Sequence, residues 1–259
     1  MIITINTEAS TLSVAVGGHQ TNYPLHSPDA FHILSREWLK LGWNLEHWAT
    51  FSWLGRQFLQ LPDDMLRLAE AVWRLRPAVI VETGVYDGGS TLWFASLCKL
   101  MGHGRVISVE SELRSEVRAA IDEHAAGLVT LVEGDSSAPG TGAAVSSLVA
   151  PGESTFVFLD SDHHKQHVAG ELRNFAPLVS GGSYLVVADS NLAQLAELPN
   201  GERTWSQDNP GVAVDEFLEA HPEFRRERFV PTFEDSVDFS GLSYFGNTWL
   251  KRTQDPAKP

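Results

Sequence analysis

The sequence predicts an α/β protein with a doubly wound, mostly parallel sheet. Five short apolar runs lie between residues 78 and 187, and a segment of helical character separates each run from the next. The runs are continuously apolar, which is typical of strands that helices cover on both faces. Two further candidate strands near the C-terminus have no helix between them, which favours an antiparallel hairpin at one sheet edge.

The composition is that of a globular protein and excludes several classes. The chain has 259 residues, of which 43% are hydrophobic, and its formal net charge of -14 gives no attraction to nucleic acid or anionic membranes. No apolar stretch reaches the ~18 residues that span a bilayer. Cys98 is the only cysteine and Arg36 the first basic residue, so neither a disulfide nor a secretion signal is indicated. We therefore expect a cytoplasmic protein without nucleic-acid or membrane partners.

Residues 1–60 are predicted to form an N-terminal arm and an aromatic-rich cap or oligomerisation segment. Two weakly alternating segments, Ile2–Thr7 and Thr11–Val16, predict a hairpin, and the Gly-Gly and Pro residues that follow predict a loose arm. The strand character of this arm favours a homo-oligomer. Beyond it, tryptophans recur at steps of five, which match no single helix or strand, so we expect them on several elements: Trp38, Trp43, Trp48 and Trp53.

Residues 61–259 are predicted to form the main domain. Its first helix follows a Leu-Pro-Asp-Asp sequence at 61–64, has apolar residues at helical spacing and ends before Pro77. The predicted strands that follow are Ala78–Val81, Arg105–Val109, Leu128–Val132, Phe156–Leu159 and Tyr184–Val187. The predicted helices are Ser90–Met101, Ser111–His124, Ala143–Val149, Val168–Leu178 and Val212–Ala220. The edge hairpin is predicted from Arg228–Pro231 and Tyr244–Leu250.

Ligands of open α/β sheets bind beyond the carboxyl ends of the strands. The first such loop, Glu82-Thr83-Gly84-Val85-Tyr86-Asp87-Gly88-Gly89-Ser90, is rich in glycine. Glycine permits a tight turn and close approach of the backbone to a ligand at a helix N-terminus. The spacing is not G-x-G-x-x-G and the P-loop lysine is absent, which disfavours a dinucleotide or triphosphate site. A plain strand-to-helix turn is the alternative.

Acidic residues follow the second and third strands. Glu110 lies about twenty to thirty residues after the glycines, where a carboxylate can accept both hydroxyls of a ribose. Asp135 and Ser136 could hydrogen-bond an adenine. In isolation Glu110 could equally cap a helix, and Asp135 with Ser136 could form a turn with local side-chain bonds. Together, three such features after consecutive strands favour a ligand site.

The fourth and fifth strands end in Asp160 and Asp189, whose oxygens could hold a hard divalent cation such as Mg²⁺. His163 lies close to this pair in sequence and has a side-chain pKa suited to removing a hydroxyl proton near neutral pH. A zinc cluster of His163, His164 and His167 is one alternative, although the flanking oxygens favour a harder metal. A solvated helix start without function is the other.

Four motifs, in this order, carry a family resemblance: Glu82-x-Gly84-x-x-x-Gly88-Gly89-Ser90, Glu110, Gly134-Asp135-Ser136 and Leu159-Asp160-Ser161-x-His163. They resemble S-adenosylmethionine (SAM)-dependent methyltransferases of the cephalosporin hydroxylase-like and rhamnosyl O-methyltransferase family, which includes macrolide-sugar methyltransferases. The resemblance runs from about Phe51 to Leu250. It implies a Rossmann-like sheet of the class I SAM-dependent methyltransferase type. It also implies O-methylation of a deoxysugar in antibiotic biosynthesis, with a glycosylated acceptor or sugar nucleotide as substrate.

The resemblance also implies roles for individual residues. The cofactor is expected to contact Trp53, Glu82, Gly84, Tyr86, Gly88, Gly89, Ser90, Glu110, Asp135, Ser136 and Asp160, with Glu110 on the ribose and Asp135 and Ser136 at the adenine. Asp160 and Asp189 are expected to bind Mg²⁺, and His163 to act as the general base. Members of the family commonly carry Glu-Asp after the fifth strand, whereas this chain has Ala188 there. Ser190 is the expected substitute ligand.

Two other functions remain open from the sequence. A nicotinamide-dependent oxidoreductase could use the same glycine loop and Glu110, but no Tyr-x-x-x-Lys sequence follows the fourth strand. A non-catalytic cofactor-binding scaffold would tolerate the loss of an acid at Ala188. A non-haem iron hydroxylase is disfavoured, since no His-x-Asp…His triad occurs at the strand ends.

Overall fold

A computed structural model describes residues 1–227, 230–233 and 240–253 of the chain. The described chain begins with a three-stranded antiparallel sheet of β1 (Ile2–Asn6), β2 (Thr11–Val16) and β3 (His19–Pro24). The predicted hairpin is confirmed, but the segment expected as a loose arm is strand β3. Gly17 and Gly18 both have positive φ, of 56° and 84°, and turn the chain so that His19 pairs with Val16.

The tryptophan-rich segment spans several elements, as predicted. Helix α1 (Pro28–Asn44) begins where Ser27 caps the Ala30 backbone N–H, and it carries Trp38 and Trp43. A 3-10 turn at His47–Thr50 carries Trp48. Trp53 lies in a short hairpin of β4 (Ser52–Trp53) and β5 (Arg56–Gln57). The division of the chain at residue 60 stays a prediction.

The main domain alternates strands and helices along the chain. Its elements are α2 (Pro62–Leu75), β6 (Val79–Thr83), α3 (Gly89–Met101), β7 (Arg105–Glu110), α4 (Ser115–Ala125), β8 (Val129–Glu133), α5 (Pro139–Leu148), β9 (Thr155–Leu159), α6 (Lys165–Phe175), β10 (Tyr184–Val187), α7 (Pro210–Ala220), β11 (Phe224–Arg226) and β12 (Trp249–Arg252). None of the helices in the described part of the chain is long and apolar enough to cross a membrane.

The central sheet has seven strands in the order β11-β12-β10-β9-β6-β7-β8. Strands β10, β9, β6, β7 and β8 are parallel, and β12 pairs antiparallel with both β10 and β11. Ile80 packs into a core on one face of the sheet, whereas Val79 and Val81 pack into a core on the other. The doubly wound sheet and its antiparallel edge hairpin are therefore confirmed.

Several helix boundaries differ from the sequence prediction. Helix α4 begins at Ser115 instead of Ser111, because the Glu110 carboxylate accepts the Ser111 backbone N–H at 2.8 Å and holds that segment as a loop. Helix α5 begins at Pro139, since proline is favourable in the first turn. Helix α6 begins at Lys165 and ends at Phe175, where a 3-10 turn takes over.

The edge hairpin is displaced from its predicted position. The predicted strand at 228–231 lies partly outside the described residues, and the strand that pairs with β12 is β11, four residues earlier. Strand β12 begins at Trp249, not Tyr244. Tyr244 instead belongs to a loop whose backbone N–H donates to the buried Asp64 Oδ2 at 2.9 Å. This loop reaches the carboxyl edge of the sheet.

Candidate active site

A cavity of about 740 Å³ lies at the carboxyl edge of the parallel strands, within the size range of ligand pockets. Its lining includes one acidic or glycine residue from the loop after each parallel strand. In the spatial order of the strands, from β10 to β8, these residues are Asp189, Asp160, Gly84, Glu110 and Asp135. The strand order therefore separates an end with Glu110 and Asp135 from an end with Asp160 and Asp189.

The glycine loop after β6 allows two strand ends to come together. Gly84 has a φ of 83°, and a Cβ added there would lie 2.0 Å from the Asp160 carbonyl oxygen. Only glycine fits this position. Tyr86 and Ser90 line the cavity, but Gly88 and Gly89 do not. Gly88 forms the left-handed turn before α3, and Gly89 packs against the Gln57 backbone.

Glu82 is fully buried in β6 and does not line the cavity. Its Oε2 accepts hydrogen bonds from Thr91 Oγ1 at 2.6 Å and Ser108 Oγ at 2.8 Å, while its Oε1 has no partner among the described residues. Burial raises the pKa of this carboxyl group. Glu82 thus joins the start of α3 to the neighbouring strand beneath the glycine loop.

Glu110 lines the cavity at the end of β7. Its Oε2 accepts the Tyr86 backbone N–H at 2.7 Å, and its Oε1 accepts the N–H and hydroxyl of Ser111 at 2.8 and 3.0 Å. A carboxylate offers about four acceptor positions. Oε1 also accepts the Glu112 backbone N–H at 3.5 Å, whereas Oε2 accepts only the Tyr86 N–H, so a ligand donor can still bind at Oε2 while the glycine loop stays fixed.

Asp135 and Ser136 both line the cavity, but they differ in exposure and in hydrogen-bond partners. Asp135 is exposed, and its Oδ1 accepts the N–H and hydroxyl of Ser137, which lower its pKa. The Ser136 hydroxyl instead donates to the buried Glu171 Oε1 at 2.7 Å and lies 3.0 Å from His167 Nε2. The hydroxyl of Ser136 is therefore engaged within the protein.

Glu171 and His167 form a buried network that the sequence did not identify. Ser161, from the loop after β9, also donates to Glu171 Oε1, at 2.6 Å, and lies 3.1 Å from His167 Nε2. The Glu171 carboxylate, whose Oε1 lies 3.7 Å from His167 Nε2, raises the pKa of His167. The four-residue spacing of these two side chains on α6 was the available signal, because it places them on one helix face. The network ties the loops after β8 and β9 together.

Asp160, His163 and Asp189 form the candidate metal centre. One ligand atom from each lies within 4.8 Å of the others, and His163 Nε2 is 3.0 Å from Asp189 Oδ2. Burial, and then the charge of Asp189, raises the pKa of Asp160. Burial alone would lower the pKa of His163, but the charge of Asp189 raises it to about 9. Two converging carboxylates with little access to solvent fit a divalent cation, which would compensate their charge.

Ser190, Ala188 and the neighbouring histidines lie around this centre. Ser190 is not in the cluster, since its hydroxyl accepts from Thr248 Oγ1 at 2.8 Å and it does not line the cavity. Ala188, at the position of the usual acid, is buried in the core. His164 bonds to Asp162 at 2.6 Å and His167 to the serine network, so the three histidines do not converge on a zinc site.

The tryptophan expected near the cofactor lies elsewhere. Trp53 is outside the cavity lining, and its Nε1 donates to Ser96 Oγ on α3 at 3.1 Å. Trp43 and Trp48 line the cavity instead, together with two residues that the sequence did not single out, Gln60 and Tyr244. All four lie outside the loops that directly follow the parallel strands.

The chain matches proteins of one described family. The model of the family "Rhamnosyl O-methyltransferase/CmcI" matches residues 45–253. A rhamnosyl O-methyltransferase of Mycobacterium leprae is 34% identical over 155 residues, and one of Mycobacterium tuberculosis is 32% identical over 156 residues. Each match covers 59% of this chain, with 66% and 62% of the respective relatives, so part of each relative lies outside it.

Solved structures show the same fold. CmcI in its apo form has a TM-score of 0.57 at 24% identity, covering 80% of this chain and 78% of CmcI. CmcI described with Mg and SAM has a TM-score of 0.54 at 22% identity, covering 79% and 77%. The likeness confirms the predicted class I methyltransferase fold. Because the family match includes nearly all of the described main domain, the chain belongs to the rhamnosyl O-methyltransferase/CmcI family.

Proposed function

We propose that this protein is a SAM-dependent O-methyltransferase that uses Mg²⁺ to methylate a sugar hydroxyl. The observation that carries the proposal is that one cavity joins Glu110 and Asp135 to Asp160, His163 and Asp189. Two comparisons support this proposal: the mycobacterial relatives are named rhamnosyl O-methyltransferases, and one CmcI structure is named with Mg and SAM. The acceptor that we infer is a deoxysugar of an antibiotic-like natural product. It is methylated as the free sugar, as the nucleotide-linked sugar or after its attachment to the aglycone.

The end of the cavity with Glu110 and Asp135 would hold the nucleoside of SAM. Glu110 would accept a ribose hydroxyl at Oε2, which accepts only one hydrogen bond within the protein. Asp135 would accept from the adenine amine through its free oxygen, because the Ser136 hydroxyl is already bound to Glu171. Gly84 would let the glycine loop lie directly against the Asp160 backbone, beside the methionine part of SAM.

At the other end, Asp160 and Asp189 would hold Mg²⁺. When bound, SAM supplies the methyl group and Mg²⁺ supplies the positive charge that makes an acceptor hydroxyl more acidic. His163 would take the proton of that hydroxyl at Nε2 once the charge of Asp189 is compensated by the cation, because that charge otherwise keeps the imidazole protonated. The cavity walls would hold both reactants in line, and such positioning is worth about 7–11 kcal/mol in favourable intramolecular reactions.

Methyl transfer from SAM to methyl α-L-rhamnoside, a small acceptor chosen after the relatives' name, tests this proposal. We expect turnover with MgCl₂ and its loss with a chelator. Asp160→Asn and His163→Ala should each lower turnover by at least about a hundredfold. His164→Ala is the matched control, because this neighbouring histidine bonds to Asp162 outside the metal cluster. Full activity of His163→Ala would rule out the assigned base, and indifference to the chelator would rule out Mg²⁺.

A further inference from the structure

Three residues of the cavity lining each carry a buried polar atom that has no hydrogen-bond partner among the described residues. These atoms are Trp48 Nε1, Gln60 Oε1 and the Tyr244 hydroxyl. Gln60 and Tyr244 are each only 2% exposed. Buried polar atoms in folded proteins are nearly always hydrogen-bonded, so unpartnered ones beside a cavity indicate that a ligand completes them.

These three residues lie at the metal end of the cavity. Gln60 Nε2 donates to Asp160 Oδ2 at 2.8 Å, which fixes the amide and leaves its Oε1 as the unpartnered atom. The Tyr244 ring meets Trp43 edge to face at 5.4 Å, and Trp43 in turn lies 5.7 Å from Trp48. Burial, and then the charge of Asp189, raises the pKa of Tyr244, which is consistent with a hydroxyl close to the metal cluster.

The hydrogen-bonding capacities of the three atoms select the ligand chemistry. Trp48 Nε1 only donates, Gln60 Oε1 only accepts, and a tyrosine hydroxyl does both. A ligand hydroxyl also does both, so a ring with several hydroxyl groups can satisfy all three atoms. A carboxylate or phosphate, by contrast, has no proton to donate to Gln60 Oε1. The aromatic rings offer the apolar surface against which the C–H face of such a ring can pack.

We infer that Trp48, Gln60 and Tyr244 form the acceptor subsite and bind the hydroxyl groups of the acceptor that are not methylated. This inference rests on the proposed function. These residues are then specificity determinants: they fix the ring so that only one hydroxyl faces the methyl group. Gln60 has a second, positioning role, because the same amide holds Asp160.

Tyr244→Phe tests the inference because it removes only the unpartnered hydroxyl. Methyl α-L-rhamnoside is titrated calorimetrically into protein saturated with S-adenosylhomocysteine (SAH) and MgCl₂. We expect rhamnoside binding about five- to tenfold weaker than in the wild type, the loss of one hydrogen bond. The Kd for SAH should not change, and the Tm should not fall, because the hydroxyl has no protein partner to lose.

Tyr184→Phe is the matched control. The Tyr184 hydroxyl donates to Glu227 Oε1 at 2.7 Å, and Tyr184 does not line the cavity. Its loss should lower the Tm and leave both ligand affinities unchanged. Trp48→Phe is a second test variant, which removes the indole N–H and should weaken rhamnoside binding in the same way.

The outcomes separate the inference from the proposed function. Wild-type rhamnoside affinity in both Tyr244→Phe and Trp48→Phe would overturn the inference. A lower Tm for Tyr244→Phe with unchanged rhamnoside binding would assign its hydroxyl a structural role and also overturn it. Wild-type protein that binds SAH but not the rhamnoside would overturn the inference and leave the cofactor proposal standing. Failure to bind SAH would instead overturn the proposed function.

Discussion

Asp64 is a buried acid that holds the loop carrying Tyr244. It is 2% exposed, and its Oδ2 accepts the Tyr244 backbone N–H at 2.9 Å. Burial raises its pKa to about 7 from the model-peptide value of 3.8. Because the folded state binds this proton more tightly than the unfolded state, stability falls as the pH rises from about 4 through 7.

Asp64→Asn should therefore change the pH dependence of stability. The amide cannot ionise, so the variant should not lose stability through this group as the pH rises. The free energy of unfolding of the variant minus that of the wild type should therefore increase by about 2–3 kcal/mol from pH 5 to pH 8. Urea denaturation at both pH values, with a chelator present, measures this gain. Asp63→Asn is the matched control, since Asp63 is exposed in the same helical turn. An equal pH dependence in Asp64→Asn and wild type would show that Asp64 is ionised throughout.

Site residues differed in how well the sequence could predict them. Glu110, Asp135, Asp160 and Asp189 were predictable because each follows an apolar strand, and parallel strands bring their carboxyl ends to one edge. Gln60 was not predictable, because it meets Asp160 across 100 residues of sequence. The pattern of apolar and polar residues along the chain does not indicate contacts between residues so far apart in sequence. For the same reason the sequence does not show that Trp48 lines the cavity and Trp53 does not.

At the scale of elements, helix α6 connects the two loops that flank the Asp135 end of the cavity. Glu171 on this helix accepts from Ser136 in the loop after β8 and from Ser161 in the loop after β9. Gly170 packs so closely on Ser137 that a Cβ there would lie 2.6 Å from the Ser137 Cβ. The helix thus fixes both loops by contact and by hydrogen bonding.

Glu171→Ala should release these loops. Two buried hydroxyls would lose their acceptor, and we expect a loss of about 2–4 kcal/mol in stability and weaker SAH binding by about tenfold or more. Calorimetric titration with SAH and urea denaturation measure the two effects. Glu219→Ala on α7 is the control, because Glu219 is exposed and outside the cavity. Unchanged SAH affinity in Glu171→Ala would mean that the loops hold their shape without the network.

Strands were predicted more accurately than helix starts. Strands β6, β9 and β10 are mostly apolar and are buried on both faces, so their positions follow from their composition. Helix starts depend on single contacts that composition does not show. The Glu110 carboxylate delays α4, and Asp64 keeps Tyr244 out of β12. These two boundaries therefore fall where a carboxylate bonds to the backbone.

At the scale of the molecule, the sheet order determines the division of the cavity. The glycine loop after β6 lies at the centre, with β7 and β8 on one side and β9 and β10 on the other. The acids that we propose for the nucleoside and the groups that we propose for the metal thus come from opposite sides of one strand. The homo-oligomeric state predicted from the N-terminal strands stays a prediction, and light scattering would measure it.

Calorimetric titration measures whether the cavity binds the nucleoside of SAM through Glu110, as we propose. SAH and NAD are titrated separately into wild type, Glu110→Ala and the control Glu123→Ala, whose side chain is exposed on α4. We predict saturable SAH binding to wild type and Glu123→Ala, at least about tenfold weaker binding to Glu110→Ala, and none of NAD. Tight NAD binding without a response to SAH would contradict the account.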